Sequence, residues 1–192
     1  LGSEVCGITS ERAVVCSSGG GPPQGTYRQV AVGSGGGDAC AIDTNGDTVC
    51  WGYTFSDMLY NGSWRSPGRY VDQSVDILGE ACGVREDGSI LCWHVDRNDG
   101  RRRTLLTTEF PGRFRYAVKW EEELCALDDE GRIDCAYHYR EPTKPTGVFR
   151  EIDAGYSVCA ITQSGAATCY DTQSHAWASD WYSESYRSMA VS

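Results

Sequence analysis

The chain has 192 residues, with 27 acidic and 17 basic side chains, a net charge of −10 and a pI near 4.7. That balance is badly suited to gripping nucleic-acid phosphates, and no apolar run approaches the roughly 18 residues of a membrane helix, so neither nucleic acid nor membrane insertion is expected. Leu, Ile, Val and Phe supply only 33 residues, a content that at this net charge normally signals disorder, but ten cysteines argue for covalent staples instead.

Those cysteines form five pairs, each written Cys, nine residues, Cys. The first, CGITSERAVVC (Cys6 and Cys16), carries Arg12 where later copies carry glycine, so a different turn is expected there. Tyr27-Arg28 then precedes CAIDTNGDTVC (Cys40 and Cys50), which ends in Trp51-Gly52. Tyr70-Val71 precedes CGVREDGSILC (Cys82 and Cys92), with Trp93 directly after it. Phe114-Arg115 precedes CALDDEGRIDC (Cys125 and Cys135), and Phe149-Arg150 precedes CAITQSGAATC (Cys159 and Cys169). A last aromatic-Arg pair, Tyr186-Arg187, stands in the terminal YRSMAVS with no hairpin after it.

In copies two to five, a small residue and an aliphatic one follow the first Cys, and Gly46, Gly88, Gly131 or Gly165 sits six residues after it. Short alternating strands around a glycine turn are a β-hairpin signature. Facing residues of such a hairpin lie about 4.5 to 5.5 Å apart at Cα, which a disulfide spans. Five local disulfides are therefore expected. Zinc is the rival for paired cysteines, but its ligand pairs lie about two to four residues apart, and His94, His138 and His175 are the only histidines. No metal and no cofactor is predicted. Disulfides at this density place the chain in an oxidising compartment, secreted or extracellular. The start at LGSEVCG shows no charged and apolar leader, so a removed signal peptide is expected.

Successive first cysteines are 34, 42, 43 and 34 residues apart. One hairpin per period of this length points to a β-propeller. The first hairpin lacks an aromatic marker before it, and the last marker lacks a hairpin after it. Joined end to end they complete one more period of 39 residues. The expectation is an all-β, five-bladed propeller over residues 1–192, a single domain with one disulfide per blade. Its ring is closed by pairing of the N- and C-terminal segments, which removes sheet edges.

FREIDAGYSVCAITQSGAATCY and CAIDTNGDTVCWG resemble the repeats of the regulator of chromosome condensation family, clearly in the second and fifth copies and loosely in the first. The resemblance implies a propeller. Extracellular members of that family carry a Cys in each of these two strands, whereas its founding nuclear members have seven blades, so five is a departure. The nuclear members look like guanine-nucleotide exchange and chromatin-binding factors, a role that the acidic charge and disulfides argue against. A secreted bacterial branch resembles inhibitors that cap β-lactamases with an aromatic-rich face, and such protein capture suits this composition.

Six Trp and eleven Tyr are many for this length. Trp51 and Trp93, each following a strand Cys, are expected to pack between blades. Trp64, Trp177, Trp181 and Tyr182 fall outside the predicted strands and, with Tyr53 and Tyr139, are the candidate ligand-binding residues. Acidic runs at Glu121 to Glu123 and Asp128 to Glu130 read as solvated surface. Asp43, Asn45 and Asp47 only partly match a calcium loop, since no bidentate Glu follows. Arg101 to Arg103 form the one basic patch, and Asn61-Gly62-Ser63 fits a possible N-glycosylation acceptor. No nucleophile elbow, zinc helix or phosphate loop occurs, and a non-enzymatic protein is predicted. Its partner is expected to be a glycan held by repeated aromatic clefts, as in a lectin. The alternative is an extracellular protein, in keeping with the unequal segments SSGGG, WGYTF, WHVDR, AYHYR and YDTQS after the second cysteines.

Overall fold

The computed structural model describes residues 5–17, 21–22, 24–33, 37–52, 55, 63–75, 80–96, 104–120, 123–136, 144–154, 157–171 and 176–182. Among them lie five antiparallel sheets in chain order. The first is the hairpin of β1 (Cys6–Ile8) and β2 (Val14–Cys16). The second comprises β3 (Tyr27–Val32), β4 (Asp38–Asp43), β5 (Thr48–Gly52) and β6 (Ser63–Ser66), and the third β7 (Tyr70–Val75), β8 (Ala81–Arg85), β9 (Ile90–Asp96) and β10 (Thr104–Phe110). The fourth holds β11 (Phe114–Trp120), β12 (Glu123–Asp128) and β13 (Ile133–Ala136), and the fifth β14 (Phe149–Ala154), β15 (Val158–Thr162), β16 (Ala167–Asp171) and β17 (Ala176–Tyr182). In every sheet neighbouring strands follow one another in sequence, so each is a simple meander.

The five expected disulfides are all present, and no cysteine is free. In each hairpin the two cysteines are direct register partners, with Cα atoms 4.0 to 4.1 Å apart. By restricting the unfolded chain, each loop of this size contributes about 2 to 3 kcal/mol. The glycines of copies two to five adopt positive φ, as at Gly46 (93°), and their N–H closes the turn on the carbonyl three residues earlier. The first turn does not differ as expected. Arg12 takes the same left-handed conformation, φ 64°, and its N–H donates to the Thr9 carbonyl at 2.9 Å. Its own carbonyl accepts the Tyr27 N–H at 2.8 Å, as the Gly46 carbonyl accepts the Tyr70 N–H at 2.9 Å. A non-glycine residue pays about 1 kcal/mol or more for this conformation, and that cost is met here by the same bond to the next sheet.

Strand alternation gives every sheet two faces, and the sequence assigns them opposite jobs. One face presents the disulfide and the aliphatic residue after it; the other presents small residues, the marker aromatic and the residue following the second Cys. Thus Cys40, Ile42 and Cys50 of the second sheet pack on Tyr70, Val75, Ala81 and Trp93 of the third. Cys82, Val84 and Ile90 meet Ala117, Leu124 and Ala126 of the fourth. Cys125, Leu127 and Cys135 meet Phe149, Val158, Ala160 and Tyr170 of the fifth. Cys16 meets Tyr27, Ala39, Ala41, Val49 and Trp51. The apolar core is therefore divided into four layers between successive sheets, which is how a chain with so few large aliphatics still buries them. The marker strands β3, β7, β11 and β14 lie side by side along one end of the sheets. Pairing of the two chain ends, expected from the sequence, involves residues 183–192, which lie outside the described residues.

Candidate binding surface

Each marker strand carries a register shift at the residue after its aromatic, between Tyr27 and Gln29, Tyr70 and Asp72, Phe114 and Tyr116, and Phe149 and Glu151. A bulge removes one residue from the ladder and re-aims its side chain. Arg28 and Arg115 use that freedom to reach the neighbouring sheet. Arg28 Nη2 donates to the carbonyl of Tyr70, and Arg115 Nη2 to that of Phe149 at 3.2 Å. The aromatic-Arg marker is thus a latch between consecutive sheets.

The third sheet places Val71 at the latch position, and its link to the fourth is made differently. Asp72 Oδ2 accepts the Ala117 N–H at 3.2 Å and Ser74 Oγ the Lys119 N–H at 3.1 Å, while Asp72 Oδ1 accepts Gln29 Nε2 at 2.6 Å. One carboxylate therefore touches three successive marker strands. Burial pushes its pKa above the ordinary carboxylate value, and the charge of Asp153 adds to the rise, against the pull of its hydrogen bonds from Gln29, Ala117 and Gln73. Nothing in the motif reading singled out Asp72 or Gln29; the signal was their shared place two residues after the marker aromatic.

The candidate aromatics divide. Trp64 and Trp177 are strand residues, contrary to the sequence expectation. Trp64 lies on β6 opposite Cys50, half-buried, with its ring centroid 6.4 Å from Phe55 at a 17° interplanar angle and 5.1 Å from Trp93. Trp177 lies on β17 opposite Tyr170, half-buried, 5.9 Å from its ring and packed against the core between the fourth and fifth sheets. The physical reason is length: the segments after Cys50 and Cys169 reach far enough to add a fourth strand, and an aromatic on that strand extends the layer below it. Trp181 and Tyr182 are also on β17. Trp51 and Trp93 are buried between sheets as expected, and among the described residues the indole N–H groups of Trp51, Trp93 and Trp177 are buried without acceptors. Tyr53, Tyr139, Asn61, Glu121, Glu122 and Arg101 to Arg103 lie outside the described residues.

The acidic turns are closed by the chain's own arginines. Asp43 Oδ1 accepts the N–H groups of Asn45 and Asp47 at 2.8 and 3.0 Å, and Arg65 Nη1 bonds Asp43 at 2.6 Å and Asp47 at 2.9 Å. The Gly68 N–H, donated to Asp47 at 3.0 Å, holds that carboxyl below its ordinary pKa, with Arg65 assisting. Asp128 is held below its ordinary pKa, against its partial burial, by the Arg132 N–H and then by Arg132 Nε, each at 2.8 Å. With their lone pairs engaged, these carboxylates serve turns. Among the described residues no group of three or more His, Cys, Asp or Glu side chains is placed to hold a metal ion.

No protein-family model matches the chain. Over 126 residues it is 28% identical to the serine/threonine-protein kinase-like protein CCR2 of Arabidopsis thaliana, a stretch covering 56% of this chain and 15% of that protein. Among solved structures, Prp20p of Saccharomyces cerevisiae superposes with a TM-score of 0.62 at 15% identity, covering 88% of this chain and 56% of the yeast one. Human WBSCR16 gives 0.56 at 14% identity, covering 77% and 48%. The chain spans about half the length of these solved structures. At such identity the likeness concerns fold alone, and it agrees with the Cys-paired hairpins, the marker strands and the layered core. The chain carries the RCC1-like β-propeller fold, with five sheets in the place of blades and one disulfide across each.

Proposed function

We propose that this chain is a secreted or extracellular, non-enzymatic binding module that captures a protein partner through one asymmetric face. The observation that carries this reading is the inequality of the sheets. The outer strands of the second, third and fifth read SWRS, TLLTTEF and AWASDWY, so the outer rim changes from one repeat to the next. Repeated sugar sites need repeated rims, whereas one protein partner needs a single irregular surface. The half-buried state of Trp64 and Trp177 supports the same choice, because stacking on a sugar requires an open ring face. Proteins of this fold have protein partners: yeast Prp20 has been solved bound to Kap60, and Prp20p has binding properties toward Gsp1p and histones. The net charge of −10 favours a partner with a basic face. Five disulfides fit an oxidising compartment.

Carbohydrate recognition is the second reading, favoured at one place by Trp64, whose ring stacks on Phe55 near the outer edge of the second sheet. The experiment is affinity capture from the native extracellular fluid at low and high salt, beside a broad glycan array. One stoichiometric protein, released by salt, is expected with a blank array. Glycan binding abolished by Trp64→Ala, without a protein partner, would overturn the protein reading.

A further inference from the structure

Among the described residues five large apolar side chains are exposed, and outside the first sheet these are Val71 (40%), Tyr116 (43%) and Val148 (50%). Each lies within two residues of a marker aromatic, on the third, fourth and fifth sheets in turn. Asp72 Oδ2 accepts the Ala117 N–H at 3.2 Å, so Val71 and Tyr116, the residues before them, stand side by side where β7 and β11 begin. Val148, directly before Phe149, lies against the turn of the fourth sheet, its Cγ1 2.7 Å from the place a Cβ on Gly131 would take. Three consecutive sheets thus expose an apolar arc at one end of their marker strands.

Exposed ion pairs border the arc: Arg69 with Glu86 at 3.1 Å and Arg113 with Asp129 at 3.7 Å, each arginine directly preceding a marker aromatic. Arg85 is engaged by Glu109, and Asp87 accepts the N–H and hydroxyl of Ser89 at 2.9 and 2.7 Å. The turn of the third sheet therefore carries two carboxylates, Glu86 and Asp87, to the one guanidinium of Arg69. An apolar centre inside a polar rim is the anatomy of a protein interface, and the surplus of carboxylate selects a basic partner.

The backbone within the arc is unequally served. The Phe149 carbonyl accepts Arg115 Nη2 at 3.2 Å and Gln163 Nε2 at 3.4 Å, and the Tyr70 carbonyl accepts Arg28 Nη2. The Phe114 carbonyl holds the same place in the repeat, but with Val71 at the latch position no side chain among the described residues donates to it.

Resting on the protein-capture reading above, we propose that this arc is the docking site of the protein partner, and that an arginine of the partner supplies the missing latch. Its guanidinium donates to the Phe114 carbonyl, as Arg28 does to that of Tyr70, while its methylene stem lies on Val71 and its plane meets the exposed ring of Tyr116. The chain already makes one such contact: the guanidinium carbon of Arg115 is 5.8 Å from the Tyr116 ring centroid, within the roughly 6 Å reach of a cation–π pair. Lysine fits less well, because a compact ammonium does not stack as a planar guanidinium does.

Disulfide-closed peptide loops of random sequence, displayed on phage and panned on the whole chain, test the contact. Enriched loops are expected to share an arginine, to shift the amide resonances of Val71, Phe114 and Tyr116, and to weaken when that arginine becomes lysine. Val71→Arg gives the chain its own latch and should weaken such loops by about tenfold or more without lowering Tm; Tyr116→Ala should weaken them as well. Ala136→Arg, which adds the same charge at an exposed position away from the arc, should leave binding unchanged. No enrichment, loops without a shared arginine, or binding indifferent to Val71→Arg would overturn the proposal. A native partner captured equally by the parent and by Val71→Arg would sink this docking site and leave protein capture standing, whereas a blank capture beside a positive glycan array would sink both.

Discussion

The interface between the second and third sheets and the one between the third and fourth occupy equivalent places in the repeat but are held by different chemistry. The former has the guanidinium latch of Arg28 and a run of aromatic rings, Phe55, Trp64, Trp93 and Tyr70, with Tyr70 and Trp93 edge-on at 5.9 Å. The latter has Val71 in place of the latch, no Trp among the described residues of its apolar layer, and two side-chain oxygens, from Asp72 and Ser74, bonded to the backbone of β11. An arginine reaching forward to a carbonyl and a carboxylate receiving an N–H both satisfy backbone groups at the exposed edge of a marker strand. They differ in what titrates. The raised pKa of the Asp72 carboxyl makes its interface pH-dependent.

The largest effect comes from breaking the aromatic side. Trp93→Ala empties a fully buried site and is expected to cost about 3 to 5 kcal/mol in urea unfolding. A cost near that of a surface substitution would mean that this layer is not the stronger of the two.

The pH dependence of the carboxylate side is the next test. The folded pKa of Asp72 is raised, so the native state binds more protons than the unfolded one between the two values, and stability falls as pH rises through that window. Asp47, beside Arg65 in the second sheet, has a lowered folded pKa, so its contribution is present above the unfolded value and is lost as pH falls. Urea midpoints across pH 3 to 7 should therefore move in opposite senses for the two carboxylates: relative to each variant, the parent loses ground with rising pH at Asp72→Asn and gains it at Asp47→Asn. Parallel profiles would remove the distinction.

The smallest effect concerns the latch. Arg28→Gln forfeits a charge-assisted bond, about 1 to 2 kcal/mol. Val71→Arg should recover part of that amount by offering the Phe114 carbonyl a donor, and thermal unfolding of both variants shows whether the latch position is interchangeable.

Much of the fold was legible because it is local. Spacing set the hairpins, the disulfide partners and the turn glycines, and each proved a matter of adjacent residues. Arg12 was misread because composition rules favour glycine for a left-handed turn, while the bond from Tyr27 in the next sheet holds an arginine there. Trp64 and Trp177 were read as loop residues because neither lies in an alternating run; their strands exist only as fourth members of sheets already formed. Asp72 carries no motif, and only the approach of β3 and β11 gives it a role.

By itself, then, the sequence determined five stapled hairpins and their regular repetition, since each follows from covalent spacing and from backbone preferences within one repeat. Tertiary structure alone decided which face of each hairpin meets its neighbour, where the marker arginines point and which aromatics are hidden. Those outcomes depend on contacts between residues some 40 positions apart, such as Arg28 with Tyr70, and no local preference encodes a partner at that distance.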